Sequence, residues 1–161
     1  MSTEGNKALH EGIPQLKDAF VLIVKTEWNK EIVDKLEVGA TNVLQGQNIS
    51  YKTITVPGSF EIPFAIKSYA ESRRKKADAF IALGTIIRGD TPHFDYVCRA
   101  VTDGVLQLNL LLPVPTIFGI LTVDNELQAK ERIGGKHGHK GDEAAVTAIK
   151  MINPKLLKGI M

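Results

Sequence analysis

The sequence has 161 residues, of which 43% are hydrophobic and 24% are charged, so it can build one domain with a core of ordinary size. Its formal net charge of +2 is too small to indicate a nucleic-acid or membrane-surface partner. The single cysteine excludes an intrachain disulfide and is typical of a protein from the reducing cytoplasm. We expect no secretory signal, because the start MSTEGNKALHEGIPQ is polar and lacks an apolar segment, and no membrane-spanning segment, because no apolar run is long enough.

Short apolar runs alternate with amphipathic segments along the chain. Residues 1–17 lack this periodicity, so we predict a flexible N-terminal arm followed by a single domain at 18–161. The basic run at 73–76 is expected at the exposed end of a helix, where cations suit the helix dipole. The strands are predicted at 19–24, 51–56, 79–84 and 116–121. The helices are predicted at 29–45, 60–73, 94–111, 125–133 and 141–152.

This alternation predicts an α/β fold in three layers. A four-stranded parallel sheet is expected to be flanked by helices on both faces, in a flavodoxin-like arrangement. Ligands of such sheets bind beyond the carboxyl ends of the strands. The loops to examine are therefore those that follow the four strands: KTEWN, PGSFE, TIIRGDTPH and TVDN.

The loops after the first two strands can recognise a flat, polyhydroxylated molecule. Trp28, the only tryptophan, can stack on a planar ligand, or it can pack in a core or an interface. Glu61 can accept hydrogen bonds from a polyol, or it can favour the start of the next helix through the helix dipole. Free N–H groups at that helix start can also bind acceptor oxygens.

The loop after the third strand, GTIIRGDTPHFDYVC, combines features of an anion site. Gly89 allows a ligand to approach the backbone, and a helix is predicted to start near Pro92. An anion there would contact the N–H groups of Asp90 and Thr91, since the Asp90 carboxylate would repel it. His93 can transfer a proton near neutral pH, or it can be a structural histidine.

Cationic residues follow in the last third of the chain. Arg132 closes a predicted short helix, and its planar guanidinium can hold phosphate oxygens bidentately. The next segment, GGKHGHKGDE, could form a metal site from His137 and His139, but these have no clear third ligand. We therefore interpret it as a cationic loop that meets a phosphate. The sequence contains no G-x-G-x-x-G fingerprint, Walker A motif or nucleophile elbow.

Four segments resemble the motif set of the 6,7-dimethyl-8-ribityllumazine synthase family: VPGSFEIPFAIK, GTIIRGDTPHFDYVC, FGILTVDNELQAKERIGG and HKGDEAAVTAIKM. They occur in the family's order and spacing, and the resemblance covers roughly residues 19–152. It implies a transferase of riboflavin biosynthesis that condenses 5-amino-6-(D-ribitylamino)uracil with 3,4-dihydroxy-2-butanone 4-phosphate. The implied products are 6,7-dimethyl-8-ribityllumazine, phosphate and water.

The resemblance also implies how the enzyme is assembled. Family members form pentamers with sites between neighbouring subunits, and some build a 60-subunit capsid of twelve pentamers. The stretch from Arg132 to Lys140 has no insertion relative to capsid-forming members, so the expectation extends to the capsid. The implied partners are small-molecule substrates, further copies of the chain and riboflavin synthase, with no nucleic acid and no membrane. No metal and no organic cofactor is implied.

The resemblance assigns roles position by position. His93 matches the proton-transfer histidine, Trp28 an aromatic that stacks on the pyrimidine, and Phe118 a residue that packs on the ligand from a neighbouring subunit. The ribitylaminouracil is assigned to Trp28, Ser59, Phe60, Glu61, Thr85, Ile86, Ile87 and Phe118. The butanone phosphate is assigned to Asp90, Thr91, Arg132 and Lys140.

Two other functions fit the predicted architecture. A flavin-binding or storage protein needs no phosphate site, whereas His93, Arg132 and the 89–91 loop together indicate one. An electron-transfer flavodoxin would carry a Ser/Thr-rich phosphate loop after the first strand, which this chain lacks.

Overall fold

The computed structural model describes residues 7–72 and 74–152. A 3-10 turn at Lys7–His10 precedes the first strand, and another at Ser59–Glu61 precedes the second helix. The main strands are β1 (Phe20–Thr26), β2 (Ser50–Val56), β3 (Ala79–Ile87) and β4 (Thr116–Val123), followed by the short β5 (Ile133–Gly135) and β6 (Gly138–His139). The helices are α1 (Lys30–Gly46), α2 (Ile62–Ala70), α3 (His93–Leu111), α4 (Glu126–Lys130) and α5 (Lys140–Ile152).

The four main strands form one parallel sheet in the order β2-β1-β3-β4. Helices cover both faces, so the predicted three-layer α/β fold is confirmed. Alternate residues of β1 enter opposite cores, because successive side chains of a strand point to opposite faces. Val21 and Ile23 pack under α1 and α5, while Leu22 and Val24 pack under α2 and α3. This double burial explains why β1 is a continuous apolar run in the sequence.

Three strands extend further towards the ligand-binding edge than predicted. β3 continues to Ile87 instead of ending at Gly84, β1 continues to Thr26 and β4 to Val123. Thr85–Ile87 therefore belong to a strand, and the prediction that they lie in a loop was wrong. The reason is that these β-branched residues pair in register with residues 121–123 of β4, a partner that local sequence cannot show.

The second helix is shorter than its predicted range of 60–73. The 3-10 turn occupies its expected start, and the helix ends at Ala70. The prediction that the basic run lies at the end of this helix was therefore wrong, because the helix ends before the run begins. Lys75 lies in the following loop with its ammonium 4.4 Å from the centre of the Phe20 ring, while Arg73 falls outside the described residues.

The N-terminal segment contacts the domain where it is described. Ile13 and Leu16 pack against the core beneath α1 and α5, and the carbonyl of Glu11 accepts a 2.8 Å hydrogen bond from Lys150. Residues 1–6 of the predicted arm lie outside the described residues. The β5–β6 hairpin was not predicted, and it replaces part of the expected cationic loop. Among the described residues, no helix combines the length and hydropathy needed to cross a membrane.

Candidate active site

The loop that follows β1 is hydrogen-bonded both to the loop that follows β2 and to the end of strand β3. The N–H of Trp28 donates to the carbonyl of Pro57 at 3.2 Å, which joins the first loop to the second. The Asn29 side chain, from a residue in the left-handed backbone region, donates to the carbonyl of Thr85 at 2.7 Å. These bonds bring the predicted ring-binding residues of three strands to one surface.

Two aromatic side chains of this edge are open to solvent. Trp28 is 73% exposed and Phe60 is 62% exposed, so within one chain Trp28 is not a core aromatic. A β-carbon added at Gly58 would lie 3.0 Å from a carboxylate oxygen of Glu61 and 3.8 Å from the Trp28 ring. Trp28 and Glu61 thus approach the same backbone position, where an indole face and a carboxylate are both available to a ligand.

The turn Ser59–Glu61 rests on β3. Ser59 is buried, and a β-carbon at Gly84 would lie 2.6 Å from its hydroxyl oxygen, so this close approach requires glycine. Thr85 is also buried, whereas Ile86 and Ile87 are partly exposed beyond it. This contact between Ser59 and Gly84 holds the turn that contains Glu61 against β3.

His93 is the first residue of α3 and is exposed. Its N–H lies 3.4 Å from the Thr91 hydroxyl oxygen. The helix starts near Pro92 as predicted, but Pro92 is the N-cap residue and not part of the first turn. Asp90 and Thr91 are exposed in the turn before the helix, so the N–H groups of this turn can reach an anion.

Arg88 connects this turn to the loop after β4, a link that the sequence did not indicate. Its Nε donates to Asp124 at 3.0 Å, and its two Nη atoms donate to the carboxylate of Asp95 at 3.2 and 3.3 Å. The guanidinium carbon lies 4.1 Å from the centre of the Phe94 ring. Hydrogen bonds to Asp95 and then to Asp124 raise the pKa of Arg88 further, so the group stays charged.

A second cluster of predicted residues lies along β4, which is an edge strand. A groove of about 610 Å³ runs beside it and is lined by Phe118, Arg132, Lys140 and Glu143, among others. The Nη1 of Arg132 donates to the carbonyl of Gln128 at 2.7 Å, one helical turn earlier. Neither Trp28 nor His93 is among the described residues that line this groove.

The two histidines of the hairpin have separate partners. Nε2 of His137 lies 3.5 Å from Glu131, and Nδ1 of His139 lies 3.0 Å from Asp142. Within residues 7–72 and 74–152, no three His, Cys, Asp or Glu side chains are grouped so that they could hold a metal ion.

Comparison with known proteins decides the family. A sequence model of 6,7-dimethyl-8-ribityllumazine synthase matches residues 18–155. The chain belongs to this family. A lumazine synthase of Parabacteroides distasonis is 51% identical over 88% of this chain and 89% of its own length. The Porphyromonas gingivalis relative is 49% identical over the same shares, and the Cytophaga hutchinsonii relative is 45% identical over 94% and 96%.

The lumazine synthase match includes every candidate residue from Trp28 to Lys140. Sequence reasoning missed two residues that organise the edge, Asn29 and Arg88. Arg88 lies inside the motif GTIIRGDTPHFDYVC, and its position as a cationic residue next to Gly89 is the sequence feature that could have identified it. Its partner Asp124 lies 36 positions away, so only the fold reveals the pair.

Proposed function

We propose that this protein is an active 6,7-dimethyl-8-ribityllumazine synthase in riboflavin biosynthesis. It condenses 5-amino-6-(D-ribitylamino)uracil with 3,4-dihydroxy-2-butanone 4-phosphate. The observation that carries the proposal is the family match over residues 18–155, with 51% identity to the Parabacteroides enzyme. The single cysteine supports a cytoplasmic location for this biosynthetic step.

The pyrimidine and its ribityl chain bind at the carboxyl ends of β1, β2 and β3. The exposed indole of Trp28 supports stacking on the ring, and Glu61 beside it offers a carboxylate to the ribityl hydroxyls. The edge formed by β3 supplies backbone groups for the uracil. The further binding residues on this side are Ser59, Phe60, Thr85, Ile86 and Ile87.

The butanone phosphate binds where cations and free N–H groups can surround its phosphate. Arg132 and Lys140 share the β4 groove, and the turn at Asp90 and Thr91 adds backbone donors ahead of α3. The Gln128 carbonyl orients the Arg132 guanidinium, which favours bidentate contact with phosphate oxygens. The exposed carboxylate of Asp90 takes no direct part.

The reaction needs positioning more than strong chemical activation. The substrate amine attacks the ketone, and loss of water gives a Schiff base. Elimination of phosphate and attack by the second amine close the ring, with release of a second water. Holding both substrates in one geometry lowers the barrier most. His93, exposed at the start of α3, transfers protons between these steps.

The active site is shared between neighbouring subunits of a pentamer, and we extend the assembly to a capsid of twelve pentamers. Three features support self-association. The first is that the groove beside the edge strand β4 is open. The second is that the candidate residues form two separate clusters within one chain, since the groove that contains Arg132 and Lys140 is not lined by Trp28 or His93. Large apolar side chains on α2 and α3 are also exposed, which is typical of an interface: Phe64, Leu106, Leu110 and Leu111.

Incubation with both substrates tests the proposed activity. We expect the absorbance and fluorescence of the lumazine to appear together with inorganic phosphate, one phosphate for each lumazine formed. Each substrate alone should give neither signal. A protein that binds riboflavin tightly but forms no lumazine would instead be a flavin storage protein.

A further inference from the structure

We propose that Arg88 is a positioning residue that holds the turn before His93 and the loop before α4, which leads to Arg132, in one fixed geometry. The inference rests on the proposed function, because its kinetic test uses the lumazine reaction. Its structural basis is a set of hydrogen bonds by which Arg88 links the loop after β3 to the loop after β4.

On one side, Arg88 fixes the start of α3. Its two Nη atoms form a bidentate pair with Asp95, at 3.2 and 3.3 Å, and its planar face stacks on Phe94. Asp95 lies two residues after His93 in the first turn of the helix. The orientation of that turn, and therefore the direction of the imidazole, depends on where the guanidinium is held.

On the other side, Arg88 fixes the loop before α4. Its Nε donates to Asp124 at 3.0 Å, and the backbone N–H of Asp124 donates to the Gln128 side chain at 2.9 Å. The carbonyl of Gln128 then accepts the 2.7 Å hydrogen bond from Arg132. Gln128 thus accepts from Asp124 through its side chain and from Arg132 through its backbone carbonyl, so this one residue connects the Arg88 cluster to the candidate phosphate-binding arginine.

The position of Arg88 explains why a side chain has to make this link. Its backbone N–H donates to the carbonyl of Val123 at 2.9 Å, just beyond the last paired residues of β3 and β4. Past this point β3 and β4 are no longer paired, and the segments that follow them form separate loops. Arg88, Asp95 and Asp124 are substantially exposed, so the pairs add little to global stability and act mainly on local geometry.

Arginine suits this position because one planar group must face two carboxylates in different directions. Nε donates a hydrogen bond to Asp124, while both Nη atoms donate to Asp95. A lysine ammonium is a point charge and cannot hold both partners in the same fork. Arg88→Lys should therefore rescue only part of the function that Arg88→Gln loses.

The test compares steady-state kinetics of the wild type, Arg88→Gln and Arg88→Lys. We expect Arg88→Gln to raise the KM for the butanone phosphate about three- to tenfold, with Arg88→Lys between it and the wild type. The KM for the uracil should change less than about twofold, since Trp28 and Glu61 lie on other loops. A merely structural role would reduce the active fraction, and thus kcat, without this selective change in KM.

Hydrogen exchange gives a second readout that does not need turnover. Arg88→Gln should speed exchange of backbone amides in both 89–95 and 124–132, while the β1 amides stay protected. The matched control is Lys67→Gln on α2, which removes an exposed ion pair with Glu71 just after the helix. It should leave both the KM values and the exchange pattern at wild-type levels.

A double variant tests whether Arg88 acts through Asp124. Arg88→Gln combined with Asp124→Asn should be no worse than Arg88→Gln alone, because both changes break the same contact. Unchanged KM values in Arg88→Gln, or faster exchange in only one of the two segments, would overturn the inference. A wild-type protein that forms no lumazine would instead overturn the proposed function, and the exchange result would still decide whether Arg88 joins the two loops.

Discussion

The ammonium of Lys140 donates hydrogen bonds to both carboxylate oxygens of Glu143, each at 2.8 Å, in the first turn of α5. Both side chains are mostly buried, with 16% and 19% of their surfaces exposed, and both line the β4 groove with Arg132. A phosphate in this groove would therefore meet one guanidinium and one ammonium whose charge is already shared with a carboxylate.

Stability and phosphate binding can be separated at this pair. Lys140→Met leaves the Glu143 carboxylate without its cation, so we expect the free energy of unfolding to fall by about 1–3 kcal/mol, less than for a fully buried pair. Adding Glu143→Gln should restore most of the stability but leave a raised KM for the butanone phosphate. Urea unfolding and steady-state kinetics measure the two effects. Recovery of the KM along with stability would exclude a direct role of Lys140 in phosphate binding.

Arg132 should contribute selectively to binding of the four-carbon phosphate. Arg132→Ala removes a charge-assisted hydrogen-bonding partner, and we expect a loss of about 1.5–3 kcal/mol in the affinity for this substrate. The affinity for the uracil should be nearly unchanged. Lys130→Ala is the control, because Lys130 is the last residue of α4, which ends before Arg132, and pairs with Glu126 at 2.8 Å. Equal weakening of both substrates would contradict the assignment.

Trp28 provides an optical probe of ring binding. It is the only tryptophan and is 73% exposed in the single chain, so its emission should be strongly quenched when the lumazine product stacks on it. Trp28→Phe should still bind the product, as measured by product fluorescence, but without a tryptophan signal. An unquenched emission at saturating product would place the indole away from the ring.

Asp34 makes stability depend on pH in the acid range. A hydrogen bond from Lys25, then one from Lys30, lowers the pKa of this carboxyl below its ordinary value of 3.8. A carboxyl with a depressed folded-state pKa stabilises the fold above its unfolded pKa, and this contribution disappears as the pH falls through the folded pKa. Burial opposes the charge of Lys25, but hydrogen bonds to Asp34 and Glu37 raise its pKa overall, so the cation persists.

Urea unfolding at pH 7 and near pH 3 measures this contribution. Asp34→Asn should be less stable at pH 7 by under about 1 kcal/mol, because the side chain is more than a third exposed, and should lose less stability on acidification. Asp103→Asn, on the exposed side of α3, is the control. Equal acid sensitivity of Asp34→Asn and the wild type would show that the ion pair contributes no pH dependence.

A mixing experiment tests the shared site. His93→Ala should lower turnover by about a hundredfold or less, because the substrate amine needs little activation, and Arg132→Ala impairs the other half. When the two variants are unfolded, mixed equally and refolded, roughly a quarter of the head-to-tail interfaces regain both residues. Activity should rise well above that of either variant refolded alone. No rescue in mixed rings confirmed by mass would mean that both residues act within one subunit.

Local pattern was enough to predict the order and type of the main elements. The runs in β1 and β3 are apolar because both faces of the sheet are covered, and that burial is visible in sequence as uninterrupted hydrophobic residues. The start of α3 was also predicted near Pro92, since proline favours helix starts, and the helix begins one residue later at His93. Strand ends were less predictable, because Thr85–Ile87 become a strand only by pairing with β4.

By itself, then, the sequence determined the α/β alternation, the family and the residue types available for a flat ring, a polyol and a phosphate. Only the tertiary structure decided which of them meet. Trp28 and Glu61 converge on Gly58, Arg132 and Lys140 share the β4 groove, and Arg88 joins Asp95 to Asp124. The physical reason is that periodicity reports on burial over a few residues, whereas a hydrogen bond between two loops depends on sheet order and strand register set by the whole chain.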